Sequence, residues 1–321
     1  MESRLDIDEE TLKFNEIFIP GLIEESLQVL NDKRRFAYYT SASTAMKLIE
    51  HKELWFRNAS VMNDFSEIRY GLNLIQKTFS GPLGARFRES VDDIFDGTVA
   101  QVENLLVDWI PDWEFETYIA CVSAHDNSED RSGRLSMWRA YGDTAIVVNN
   151  TPMMAITDRL SVYSMPVMYL SQQGYEARLS KITDSILVNR RYLQGLGQEK
   201  LVAFINQMLF HTAIATKHPG FSEEKEWRLY YRPNSEKSTV MEPRTVLIGN
   251  TPQIVYVLPL RHDPDNGLFG ADIPSLLDRL IIGPTEFPYV SMQAFKSALT
   301  RANVVDVDSK VVVSDIPLRT R

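Results

Sequence analysis

A run of alternating charge inside a strand-like segment constrains this chain more than any other feature. His218-Pro219-Gly220-Phe221-Ser222-Glu223-Glu224-Lys225-Glu226-Trp227-Arg228-Leu229-Tyr230-Tyr231 passes from turn residues into an aromatic stretch. Strand side chains alternate with period two, so Glu224, Glu226 and Arg228 are expected on one face and Lys225, Trp227 and Leu229 on the other. Two carboxylates and a guanidinium on one face are costly to bury unless they pair with one another or meet a ligand. That face is the first candidate for a working site. Its plain alternative is an ion-paired strand surface on which Arg228 neutralises one glutamate.

Around this segment the pattern predicts an α+β fold. Strands are expected at Phe36–Thr40, Leu54–Arg57, Thr117–Ala124, Thr144–Asn149, Leu160–Tyr169 and Glu226–Arg232, and again at Thr245–Gly249, Ile254–Leu260, Leu280–Gly283 and Val304–Ser314. Helical periodicity covers Asp8 to Arg34, broken at Pro20-Gly21. It returns in two insertions, at about residues 83–110 and 172–216, and in the short stretch Leu135–Tyr141 before Gly142. Strands near both ends with helices between them are not a regular alternating βαβ array. The expectation is one domain with a mixed or antiparallel β core (residues 36–321), preceded by a helical extension (residues 1–35).

With 34 basic and 43 acidic residues the net charge is −9, which does not favour a nucleic-acid backbone as partner. The chain's start lacks the apolar core of a signal peptide, and no run is long and apolar enough to span a membrane. A single cysteine, Cys121, allows no internal disulfide and no cysteine-rich zinc site. Together these point to a cytoplasmic protein with no membrane partner. Glycine-rich phosphate loops, the Gly-x-Ser-x-Gly elbow and nucleotide fingerprints do not occur, against P-loop ATPases, simple hydrolases and Rossmann enzymes. His211 and His218 match no zinc spacing and read as satisfied or solvated histidines.

Four segments taken together resemble the bacterial family DUF2971, a domain of unknown function. They are Tyr38-Tyr39-Thr40 with Leu54-Trp55-Phe56 and the turn Met62-Asn63-Asp64-Phe65-Ser66-Glu67; Cys121-Val122-Ser123 with Met137-Trp138-Arg139-Ala140-Tyr141-Gly142; Lys217 with Glu224-Lys225-Glu226-Trp227-Arg228; and Val313-Ser314-Asp315-Ile316-Pro317-Leu318-Arg319. Phe65 stands where that family usually has proline. Asp64 and Glu67 also have the spacing of a helix capping box, and Met137 with Tyr141 that of one helical face.

The Tyr39-Thr40 strand–helix unit and the late Glu-x-Glu strand are also similar to ADP-ribosyltransferases, which implies a split β-sandwich and NAD as co-substrate. That resemblance makes Glu226 the catalytic carboxylate and Glu224 the one that orients the acceptor. Tyr39 or Tyr141 would stack on the nicotinamide, and Arg57 or Arg228 would meet the pyrophosphate. Thr40, Asn63, Asp64, Ser123 and Trp138 complete the implied pocket. A carboxylate beside developing positive charge is the chemical requirement.

The expected function is therefore NAD-dependent, either ADP-ribosyl transfer to an unidentified macromolecule or nicotinamide release, in a setting such as bacterial defence. Two alternatives stand beside it. One is a metal-dependent nuclease using Asp64, Glu67, Glu224 and Glu226 as oxygen ligands. The other is a non-enzymatic sensor, such as one in antiphage defence, or a partner-binding module that uses the helices between Gln172 and Thr216.

Overall fold

Aromatic and β-branched residues at alternating positions build the central strands, and each face of the resulting sheet finds its own apolar cover. The computed structural model describes residues 8–62, 67–150 and 160–317. Among them are the strands β1 (Arg35–Thr40), β2 (Glu53–Asn58), β3 (Tyr118–His125), β4 (Thr144–Val148), β5 (Val162–Pro166) and β6 (Met168–Tyr169). The others are β7 (Thr216–Lys217), β8 (Glu226–Tyr231), β9 (Glu242–Ile248), β10 (Thr251–Pro259), β11 (Leu277–Ile282) and β12 (Val311–Val313). The fold is α+β with a mixed sheet, as the sequence predicts.

Ten strands form one sheet in the order β12-β11-β4-β1-β3-β2-β10-β9, with β8 paired to β3 and β5 to β8. β11 and β12 run parallel, whereas β1, β3, β4, β8 and β11 pair antiparallel. The sheet branches at β3, whose residues 123–125 pair with β1 while residues 118–123 pair with β8. Phe36, Ile146, Val122 and Trp227 belong to a large core on one face, and Ala37, Tyr39, Ala145 and Val147 pack with Met137 and Trp138 on the other.

By contact density the chain divides into two compact units. The first holds the described residues within 1–27, 58–117 and 165–222, and the second those within 28–57, 118–164 and 223–321. The first is largely helical and carries the two-stranded β6–β7 pair; the second carries the large sheet.

Several boundaries differ from the sequence expectation for physical reasons. The helix expected across residues 83–110 is two helices, Pro82–Asp92 and Thr98–Phe115, separated where Gly97 takes a φ of 77°. The strand expected over Leu160–Tyr169 is divided into β5 and β6 at Pro166, which has no N–H to give a ladder. Of the strand expected over Val304–Ser314 only β12 forms, preceded by a helical turn, Val307–Lys310. No helix among the described residues is long and apolar enough to cross a membrane.

In the first unit His211 lies inside the helix Gln198–Ala215 and is 5% exposed. Burial, helped by the charge of Arg178, lowers its pKa from 6.5 to about 3, and its Nε2 makes no hydrogen bond. Folding therefore selects neutral imidazole. The cost is absent above the unfolded pKa of about 6.5 and grows by about 1.4 kcal/mol per pH unit as pH falls toward 3. His211→Leu is expected to flatten the acid side of the stability curve between about pH 6.5 and 4.5. Urea midpoints followed by tryptophan fluorescence, to which Trp109 and Trp113 of the same unit contribute, check this; parallel curves for the two proteins would refute it.

Candidate functional site

The charged strand does not begin where its alternation suggests. Lys225 adopts a left-handed φ of 44°, so β8 starts at Glu226 and Glu224 ends the preceding 3-10 turn, Pro219–Glu224. A lysine in that region is strained, and the surroundings hold it there. The Ala124 N–H donates to the Lys225 carbonyl at 2.8 Å. The Ser123 hydroxyl donates to the Glu224 carbonyl at 2.5 Å, and the Lys225 ammonium reaches Asp126 and holds its carboxyl below the usual range.

The main clamp is Arg134, which the sequence reading did not single out. Its Nη1 donates to the Glu224 carbonyl at 2.9 Å and to the Ser123 hydroxyl, and its Nη2 to the Ala124 carbonyl at 2.8 Å. Glu129 faces the guanidinium in a fork, with Oε1 on Nε and Oε2 on Nη2, both at 2.8 Å. The two side chains are 10% and 15% exposed, so the pair is largely desolvated and its geometry fixed. The Arg134 backbone N–H donates to the Tyr39 hydroxyl at 3.0 Å.

Beyond it an ion network continues. Asp130 binds Arg35 at 2.7 Å, Arg279 at 3.1 Å and His125 Nε2 at 3.0 Å; Asp278 binds Arg35 at 2.6 Å and Arg279 at 2.8 Å. Burial lowers the His125 pKa against the opposing pull of Asp130. Burial also raises that of Asp278, but the two arginines outweigh it and the carboxyl ends below its ordinary range. The stretch from His125 to Gly133 is thus the wall of the site, although its polarity predicts a solvated loop.

Five expected residues, Ser123, Tyr141, Glu224, Glu226 and Arg228, are linked around the start of β8. Ser123 lies opposite Glu226 in the β3–β8 register and Cys121 opposite Arg228. Arg228 Nε donates to Glu226 Oε1 at 2.6 Å, with Arg228 fully buried and Glu226 7% exposed. The Tyr141 hydroxyl donates to Glu224 Oε1 at 3.0 Å, with Glu224 8% exposed. Tyr141 ends the helix Leu135–Tyr141 and is followed by Gly142 at φ 139°. A Cβ on that glycine would lie 2.5 Å from the Thr40 carbonyl, so the close approach of this helix end to β1 requires glycine.

Other expected residues stand elsewhere. Tyr39 is buried, its ring centroid 4.8 Å from that of Trp138 in a T-shaped contact, and burial pushes its phenol up to about 12. Trp138 is buried too, donating from its indole N–H to the Ser132 carbonyl at 2.9 Å. Thr40 pairs with Thr144 at the end of β1 and hydrogen-bonds Tyr38. Arg57, on β2, is half-buried; burial lowers its pKa, Tyr38 opposes this, and its Nε donates to Gln253 at 3.3 Å. Asn63, Asp64 and the Glu67 side chain lie outside the described residues. Among the described residues no group of three or more His, Cys, Asp or Glu side chains could hold a metal ion.

A family model described as "Protein of unknown function (DUF2971)" matches residues 137–229. The matched stretch contains Trp138, Tyr141, Glu224, Glu226 and Arg228 and supports the resemblance to that family; it ends before β9 and begins after Arg134. No solved structure matches this chain.

If Arg134 holds the Lys225 bend, Arg134→Ala takes a donor from three acceptors and the counter-charge from the Glu129 carboxylate in a largely dry site. The expected cost is about 3–4 kcal/mol. Arg134→Lys recovers less than half of it, because an ammonium cannot make the two-pronged contact. Urea unfolding of the three proteins measures this; a loss below about 1 kcal/mol in the alanine variant would mean the bend is held without the clamp.

Proposed function

We propose that the second unit binds NAD and breaks its nicotinamide–ribose bond, passing ADP-ribose to water or to an acceptor group. The observation that carries this reading is the pair of carboxylates at the start of β8, Glu226 held by Arg228 and Glu224 held by the Tyr141 hydroxyl. Carboxylates fixed by different partners within three residues suit a reaction that needs one group beside a developing cation and another beside the incoming nucleophile.

In this mechanism the C–N bond breaks and its electron pair leaves on the nicotinamide nitrogen, which becomes neutral. The ribosyl carbon becomes an oxocarbenium ion, and Glu226 lies against its positive charge. The nucleophile adds to that carbon and gives its proton to Glu224. Tyr39 and Arg228 have structural engagements, with Trp138 and Glu226 respectively. The stacking role therefore falls to the half-buried Tyr141 and the pyrophosphate to the half-buried Arg57. Ser123 and Thr40 act through the backbone they hold, and Trp138 supports the helix that carries Tyr141.

The test is release of nicotinamide from NAD by the purified protein. Glu226→Gln is expected to lower the rate by at least about 100-fold. Because this change also unpairs a buried arginine, both proteins are assayed below the temperature at which circular dichroism shows the variant unfolding. Tyr141→Phe removes one hydroxyl and is expected to lower the rate about tenfold with little loss of stability. Release that is undiminished in folded Glu226→Gln, or no release from the unaltered protein with or without candidate acceptor proteins, rejects the proposal.

A further inference from the structure

The second unit encloses an apolar cavity of about 90 Å³ between the sheet and a loop that covers it. Its floor is one face of the strands, with Val122, Ile146 and Leu229, and a side wall is Ile49 of the helix Ala42–His51. The cover is the segment 261–272, in which Leu268 and Ala271 are buried while Phe269 is 48% exposed. A side chain that lines the cavity and also meets water marks its mouth.

The named bonds of the cover tie it to itself. Asp263 and Leu268 exchange backbone hydrogen bonds at 2.8 and 2.9 Å. Asp263 Oδ2 accepts from Arg261 Nε at 3.0 Å and from Asn266 Nδ2 at 2.9 Å, and His262 Nδ1 accepts from the Gly270 N–H at 3.1 Å. These bonds stay within the loop, whereas Leu268 and Ala271 meet the cavity through apolar contact. Such contact yields to a guest without stranding a polar group.

Among the described lining residues none carries a charge, and the one polar side chain, Tyr38, bonds Thr40. A buried water needs about two to four polar partners, which this lining does not offer. The space is therefore dry, and its walls lack the contacts that a fitting apolar guest would restore.

We infer that this cavity is a binding site for a short alkyl chain, admitted end-first past Phe269 with its polar end left at the mouth. The cavity, at about 90 Å³, is smaller than the apolar space of about 150 Å³ that takes in benzene, so a slender chain end suits it better than a ring. Leu229 faces it, and strand alternation turns Glu226 and Arg228 to the other side of β8. The site is thus separate from the carboxylates and does not depend on the reaction proposed for them.

1-Butanol is the probe, and 1,4-butanediol, which would bury a second hydroxyl without a partner, is its control. In the full chain with 13C-labelled isoleucine methyls, 1-butanol is expected to give saturable shifts at Ile49, Ile146 and Ile273. It should give none at Ile205, which lines a cleft of the first unit. The diol should bind at least about tenfold more weakly. Ala271→Leu and, as a second filling variant, Leu268→Phe should each weaken 1-butanol binding to the same extent while circular dichroism stays unchanged. Absence of saturable shifts, equal shifts at Ile205, equal affinity for the diol, or unchanged affinity in a folded filling variant overturns the inference.

Discussion

The fork between Arg134 and Glu129 is the interaction on which the candidate site depends. A buried guanidinium must satisfy its donors, and here they converge on two carbonyls and a hydroxyl flanking one strained residue, Lys225. An isolated left-handed lysine costs of the order of 1–3 kcal/mol. The clamp offsets that cost through its bond to the Glu224 carbonyl, the residue before the bend, while its other bonds fix the guanidinium in place. The result is two glutamates close in sequence but set apart in conformation: Glu226 inside the strand and Glu224 outside it.

This separation gives the carboxylates different partners. Glu226 is tied along its own strand to a fully buried arginine, whereas Glu224 meets a phenol from the helix Leu135–Tyr141. A buried ion pair is weak evidence of stabilisation, since desolvation consumes much of the Coulomb gain. Its value here is positional. Arg228 fixes one carboxylate, and Gly142 brings β1 and the helix end that carries Tyr141 close together. Behind them, the network of Arg35, Arg279, Asp130 and Asp278 anchors the wall to β1 and β11.

Much of this was legible in the sequence. The helix Leu135–Tyr141 and its stop at Gly142 fall on the expected residues, as do the end of β1 and the start of β4, while β3 is shifted by one residue at each end. The pairing of Arg228 with a glutamate is the plain alternative that the alternation offers, whereas the bond from Tyr141 to Glu224 joins two residues expected in other roles. What was hidden has specific causes. Period-two alternation extended through Lys225 puts Glu224 in the strand, and nothing in a lysine codon position marks a left-handed backbone. Arg134 escaped because the partner that ties it to the charged strand, the Glu224 carbonyl, lies 90 residues away. The acidic stretch Asp126–Asp130 looks solvated until Arg35 and Arg279 arrive from other strands. Asn63 and Asp64 fall outside the described residues.

A crystal structure of the protein with a carbocyclic NAD analogue, whose nicotinamide bond resists cleavage, tests the central claim most directly. The account predicts the ring that replaces the ribose within hydrogen-bond reach of the Glu226 carboxylate, the nicotinamide against Tyr141 and the pyrophosphate beside Arg57. An analogue that binds away from β8, or that fails to bind at all, would contradict it.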